Sequence, residues 1–331
     1  MTDTVLSVRG LSVDFRTEAG RVQALKDISL DVPKGRIVGI AGESGCGKST
    51  LINAILGLLP ENGEVTAGRI ELAGEGDLVR LAPARMTAIR GPGIATVFQD
   101  PMGALNPVVS IGAQMRNIQY RSGLSRAARD ARSIEMLRRV RIPDAERRLS
   151  QFPHEFSGGM KQRIVIAMAL MMRPALLIAD EPTTALDATL EVATIELLKE
   201  LQAEIGCSVL FISHHLGVIA ELCDEMMVMY AGEVVERGDV RQIFHDARHA
   251  YTRALIACDP ARLHRRAKHL PTIPGTLPDL RARPAGCIFR ARCAAATEAC
   301  AQTPPAREIS PGHIARCWHT TGGPLPLEGA E

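Results

Sequence analysis

Hydrophobic and polar positions alternate from the start of the chain. Leu6 and Val8 flank Ser7, and Leu11, Val13 and Phe15 alternate with Ser12 and Asp14. Residues 24–32 repeat the pattern more loosely. A period of two marks a strand with one face buried, so both segments are read as half-buried antiparallel strands. Residues 36–41 (RIVGIA) form a short apolar run that leads into Gly42. Helical spacing follows at Leu51, Ile52, Ile55, Leu58 and Leu59, closed by Pro60. Residues 94–98 read as another strand.

The pattern then changes character twice. Residues from about 102 to 148 are polar, helix-forming and rich in arginine, with Arg126, Arg129, Arg132, Arg138 and Arg139. This is read as a solvated helical subdomain rather than a binding patch, because charge blocks usually face water. After Ser157, buried strands return at 175–179, Ser208–Ile212 and 225–229, separated by helices. That alternation implies a largely parallel sheet covered on both faces. Past about Asp246 the composition shifts to Arg, His, Pro and Cys with little periodicity, which predicts a separate tail module over 246–331. No repeat at solenoid spacing is present.

Composition narrows the class. A chain of 331 residues, 46% hydrophobic, has room for one large α/β domain plus an appendage, or two modest domains. Aromatics at 3% and a net charge of +2 argue against a nucleic-acid partner. The N-terminus (MTDTVLSVRG) lacks a charged segment followed by an apolar core. The longest apolar stretch, 164–172, is stopped by Arg173 and Pro174, well short of the roughly 18 residues of a membrane span. The expectation is a soluble cytoplasmic chain whose membrane role, if any, runs through a partner. Eight cysteines in such a chain do not read as a disulfide framework.

The chemistry begins at Gly42-Glu43-Ser44-Gly45-Cys46-Gly47-Lys48-Ser49, which fits the phosphate-loop pattern G-x-x-x-x-G-K-[ST]. Glycines let successive N–H groups turn inward as an anion nest, and the nest ends at a helix N-terminus that favours phosphate. Lys48 supplies a cation for the β- and γ-phosphates, and Ser49 a hydroxyl for Mg²⁺. Cys46 lies inside the nest. Positive potential there would favour a reactive thiolate; the alternative is an inert filler at a variable position of the motif.

Leu176-Leu177-Ile178-Ala179-Asp180-Glu181 is a buried strand ending in two acids. Asp180 suits the strand-end ligand of the loop's Mg²⁺. Glu181 is placed to polarise an attacking water as general base. Phe156-Ser157-Gly158-Gly159-Met160-Lys161-Gln162-Arg163 opens a further helix with Ser-Gly-Gly, a second anion site. One chain does not need two phosphate sites for one nucleotide, whereas a head-to-tail dimer does.

With these motifs in order, the chain resembles the ATP-binding cassette (ABC) ATPases over roughly residues 4–245. The family signature matches 157–162, with Phe156 where leucine is commoner. The Q-loop glutamine matches Gln99, the D-loop matches Ala185-Leu186-Asp187, and the switch histidine matches His214. His215 stands where the family usually has Asp. The resemblance implies an α/β fold: a P-loop NTPase (RecA-like) core with an antiparallel β subdomain and a helical subdomain inserted at about 101–165. It implies catalytic roles for Glu181, His214 and Gln99. ATP and Mg²⁺ would be held by Gly42, Ser44, Gly45, Cys46, Gly47, Lys48, Ser49, Thr50, Gln99 and Asp180, with Phe15 stacked on adenine. The partner protomer's nucleotide would meet Ser157, Gly158, Gly159, Gln162 and Asp187.

The tail carries Ile273-Pro274-Gly275-Thr276-Leu277-Pro278, then Cys287, Cys293, Cys300 and Cys317, with Ala250-Tyr251-Thr252-Arg253-Ala254-Leu255 upstream. This resembles the C-terminal region of oligopeptide/dipeptide-type importer ATPases, a subfamily that includes nickel importers. The spacing C-x5-C-x6-C-x16-C is no usual zinc pattern. Three readings stand: a [4Fe–4S] cluster, as some members of the subfamily carry, a zinc site joined by His313 or His319, or no metal. The resemblance implies an importer ATPase at the cytoplasmic face of the inner membrane. Its partners would be two permease subunits, a paralogous ATPase or a second copy, and an extracytoplasmic solute-binding protein. The rivals are a soluble ABC ATPase and a non-hydrolysing scaffold. Absence of a coiled-coil insertion opposes the first; Asp180, Glu181 and His214 oppose the second.

Overall fold

The computed structural model describes residues 3–183, 186–259 and 271–320. The chain resolves into two compact units: residues 1–5, 33–36 and 82–210, and residues 6–32, 37–81 and 211–331. The boundary expected at residue 245 falls inside the second unit.

That unit holds an antiparallel sheet with strand order Gly20–Pro33, Thr4–Thr17, Gly63–Leu72, Gly76–Asp77. The alternation read in the sequence carries it, since Leu6, Val8, Leu11 and Val13 are all buried. The phase slips between Val8 and Leu11 because a bulge separates Arg9 from Ser12. Gly10 has φ 58° there, and a Cβ on Gly68 would lie 2.5 Å from its carbonyl carbon.

A second sheet in this unit runs Arg307–Ser310, His313–Ala315, Glu233–Asp239, Glu225–Tyr230, Ile37–Ala41. Ile37–Ala41 is buried along its length and pairs in parallel with Glu225–Tyr230, Val38 opposite Glu225. The tail is not the separate module that its composition predicts. His313–Ala315 pairs with Glu233–Asp239, Ala315 opposite Glu236. The rings of Tyr230, Tyr251 and Phe289 pack at 4.6 to 5.3 Å between centroids. A tail short of apolar residues therefore borrows its core from the unit it joins.

The other unit pairs Ile94–Val97 in parallel with Leu176–Asp180. Its helices include Ile111–Ile118, Arg126–Arg139, Gly158–Met171 and Ala188–Ile205. Gly158–Met171 runs past the expected subdomain limit at 165 and is buried on nearly all sides, Ile164, Val165 and Ile166 in succession. The arginine-rich stretch faces water in part, as its composition predicts, and in part is paired. Arg116 meets Asp130 at 2.6 Å, Arg139 meets Glu204 at 2.9 Å, and Arg132 donates to the Met171 carbonyl. Among the described residues no helix is long and apolar enough to cross a membrane.

Candidate nucleotide site

The phosphate loop joins Ile37–Ala41 to the helix Lys48–Leu56. Its glycines are demanded by backbone geometry. Gly42, Gly45 and Gly47 have φ of 154°, 81° and 107°, which side chains rarely adopt. A Cβ on Gly42 would stand 2.3 Å from the Met229 carbonyl oxygen, and one on Gly47 2.7 Å from Leu25. The Lys48 ammonium donates to the carbonyls of Gly42 at 2.7 Å and Glu43 at 3.1 Å, so it sits within the curve of the loop. Ser44, Gly45 and Ser49 are exposed and Thr50 is half-buried. Four consecutive helix-start N–H groups without helical partners remain at such an end, which suits phosphate.

Cys46 departs from the thiolate reading. It is fully buried, and burial raises its pKa despite the nearby Lys48 ammonium. Its carbonyl accepts from the Gly232 N–H at 2.9 Å, so it is a filler that seats the loop. Phe15 is half-buried and packs over Gly63, where a Cβ would meet the ring at 2.8 Å. His214 is exposed and lies two positions past the end of the strand Ser208–Ile212, its ring 4.2 Å from that of His215.

In the other unit, Leu176–Asp180 ends where the motif requires, and Glu181 follows with φ 46°. A glutamate held in the left-handed region is strained, a condition common where position matters for chemistry. Gln99 Nε2 donates to Glu181 Oε2 at 3.1 Å, so the structure brings the predicted Q-loop residue and the predicted base together. Ser157 caps Gly158–Met171, its hydroxyl accepting from the Met160 N–H at 3.4 Å. Ser157 and Gly158 are exposed, whereas Gln162 is 1% exposed and its Nε2 has no hydrogen-bond partner among the described residues. Gln162 is thus not at the exposed end with Ser157, because more than one helical turn separates them. Asp187 is exposed and caps Ala188–Ile205, accepting from Leu190 N–H at 2.9 Å. Ala185 lies outside the described residues.

Residues 25–184 match the family described as "ABC transporter", and residues 235–300 match "Oligopeptide/dipeptide transporter, C-terminal region". The chain is 45% identical over 320 residues to a probable peptide ABC transporter ATP-binding protein of Sinorhizobium fredii, covering 96% of each. It is 46% identical over 319 residues to a dipeptide transport ATP-binding protein of Bacillus subtilis, covering 96% of this chain and 95% of that one. The chain belongs to the ABC transporter family. A solved ABC cassette, the dimeric post-hydrolysis state of MJ0796 bound to ADP and phosphate, superposes with a TM-score of 0.63. It is 28% identical and covers 71% of this chain and 99% of that one. The ATPase core has the P-loop NTPase fold that its motifs imply.

In this ABC protein the four tail cysteines lie in one unit. Cys287, Cys300 and Cys317 are buried. Burial pushes the Cys287 thiol up to about 11. Cys300 Sγ is 4.0 Å from His319 Nε2. His313 is not part of this group, because its Nε2 meets the buried Glu236 carboxylate at 2.8 Å. Among the described residues no three His, Cys, Asp or Glu side chains form a group that could hold a metal ion. Sequence reasoning missed Glu43, Tyr230 and Arg292 around the ABC phosphate loop. Arg292 pairs with Glu43 across 249 positions, a separation at which no local pattern signals a contact.

Proposed function

We propose that this ABC subunit hydrolyses ATP to drive uptake of peptides across the cytoplasmic membrane. One observation carries the reading: a phosphate loop of the ABC type and the C-terminal region of oligopeptide/dipeptide transporters occur in one chain, whose relatives match over its length. The loop's N–H groups and Lys48 bind the phosphates. Ser49 and Asp180 offer the hard oxygen ligands that Mg²⁺ takes, and that ion offsets phosphate charge when bound. Glu181 accepts the proton of the attacking water, and Gln99 orients its carboxylate. His214 orients the γ-phosphate. Ser157 and Gly158 present the second anion site to the nucleotide of a partner protomer, so that ATP favours the closed pair and hydrolysis releases it. The partners are two permease subunits, a second cassette and an extracytoplasmic solute-binding protein. Cys287, Cys293, Cys300 and Cys317 would supply the thiolates that a [4Fe–4S] cluster takes, and a cluster held there would tie down the tail.

The test is affinity purification of the tagged chain from detergent-solubilised membranes. Recovery of two multi-span permeases and a second cassette supports import; recovery of soluble partners alone overturns it. In the purified complex, Glu181→Gln should lower kcat by about 10² to 10⁴ while ATP binding survives. Unchanged turnover removes Glu181 from the mechanism.

A further inference from the structure

A carboxylate within a phosphate-binding loop opposes the loop's purpose. N–H groups and Lys48 attract anions there, and Glu43 at the second position repels them. The structure shows where that charge is met. Arg292 donates from Nη1 to Glu43 Oε2 at 2.6 Å and from Nη2 to Oε1 at 3.0 Å, a two-pronged pair. The arginine is itself fixed. Nη2 donates to the Ile273 carbonyl at 3.0 Å, Nε to the Pro274 carbonyl at 2.8 Å, and Nη1 to the Tyr230 hydroxyl at 3.3 Å. Its side chain is 6% exposed, against 26% for Glu43. Exposed pairs contribute little, but removing one partner of a buried pair leaves a charge without compensation.

The tail reaches the loop at two further points. The Glu43 N–H donates to the Tyr251 hydroxyl at 2.9 Å. A Cβ on Gly45 would come within 3.3 Å of Leu277 Cδ1. Arg292 also stands next to Cys293 in sequence, so the fold of the tail and the charge at the loop are joined through adjacent residues.

We propose that Arg292 is a positioning residue of the nucleotide site: by fixing Glu43 and cancelling its charge, it lets the C-terminal region set the affinity of the phosphate loop for ATP. This rests on ATP binding by the cassette and not on the solute transported.

The test is equilibrium binding of MgATP to the full-length chain and three variants. Arg292→Gln uncovers the Glu43 carboxylate and should weaken ATP about tenfold, or about 1.4 kcal/mol. Glu43→Gln leaves the arginine uncompensated and should tighten ATP by about threefold. The double variant removes both charges and should return to within about threefold of the parent. The loss in Arg292→Gln should shrink as salt rises. A role as a structural staple predicts otherwise: the double variant would bind as poorly as Arg292→Gln, and that result overturns the proposal. So does parental affinity in folded Arg292→Gln. Should Arg292→Gln fail to fold, Arg292→Lys keeps the charge without the fork and should bind within about threefold of the parent. A tenfold loss in that folded variant, or weakened binding in Glu43→Gln, overturns the charge argument.

Discussion

Two helices begin at glycine-rich turns, Lys48–Leu56 and Gly158–Met171. At the first, three glycines take positive φ, and the space where side chains would stand on Gly42 and Gly47 is filled by Met229 and Leu25. At the second, Gly158 has ordinary helical backbone, and none of the described residues comes within 4 Å of the place where its Cβ would be. Gly159 would meet only the end of the Leu190 side chain, at 3.1 Å. Ser157 caps this helix as Ser caps many others. The first turn needs its glycines to fold. The second does not, so any need for Gly158 comes from a body that approaches from outside.

Substitution breaks or sharpens this contrast. Gly42→Ala puts a methyl against the Met229 carbonyl at a φ of 154°. It should cost about 3 kcal/mol or more and lower the thermal midpoint by about 5 °C or more. An unchanged midpoint would mean that the first turn tolerates a side chain after all.

Acid should loosen the support behind the same turn by a comparable or smaller amount. Burial holds His249 neutral, its pKa lowered from 6.5 to about 4, with Glu236 working in the opposite direction. Its Nδ1 accepts the N–H of Tyr251, whose hydroxyl in turn meets Glu43. Below pH 6.5 the unfolded chain takes up a proton that the folded chain refuses until about pH 4. The stability difference present above pH 6.5 is therefore lost as pH falls toward 4, up to about 3 kcal/mol. Denaturant midpoints at pH 7 and 4.5 measure it, and His249→Asn should flatten the difference. An equal slope in that variant assigns the acid sensitivity elsewhere.

Gly158→Ala should be the mildest change to the fold, within about 0.5 kcal/mol and in the stabilising direction. ATP binding to the isolated chain should persist, while turnover of the assembled complex falls about tenfold or more. Full turnover in the assembly would end the case for an outside partner at that turn.

The sequence made the two turns legible for one reason: phosphate binding needs consecutive residues, so the chemistry is written locally. The first strand was legible through Leu6, Val8, Leu11 and Val13. Gly63–Leu72 was not, because half of it is exposed and only Ile70 and Leu72 are buried. Glu233–Asp239 hid its buried face behind Glu233 and Glu236, which are paired with Arg283 and His313. A buried acid with a partner distant in sequence looks like a surface acid. Cys46 misled in the opposite sense. Potential in the nest argues for a thiolate, and burial outweighs it. The Gln99–Glu181 contact joins residues that the motifs had named separately.

The hairpin of Arg307–Ser310 and His313–Ala315 has one more consequence. It covers the open side of Glu233–Asp239, with Glu236 opposite Ala315 and the Arg316 N–H donating to the Val235 carbonyl at 2.8 Å. Stripped of that cover, Glu233–Asp239 would show a row of unsatisfied amides and carbonyls, a template on which other chains add strands and precipitate. The strand left outermost, Arg307–Ser310, is four residues long and begins with an exposed arginine and glutamate, a poor seed for such growth. A cassette trimmed after residue 245 should therefore aggregate, and the last strands act to keep neighbouring molecules apart.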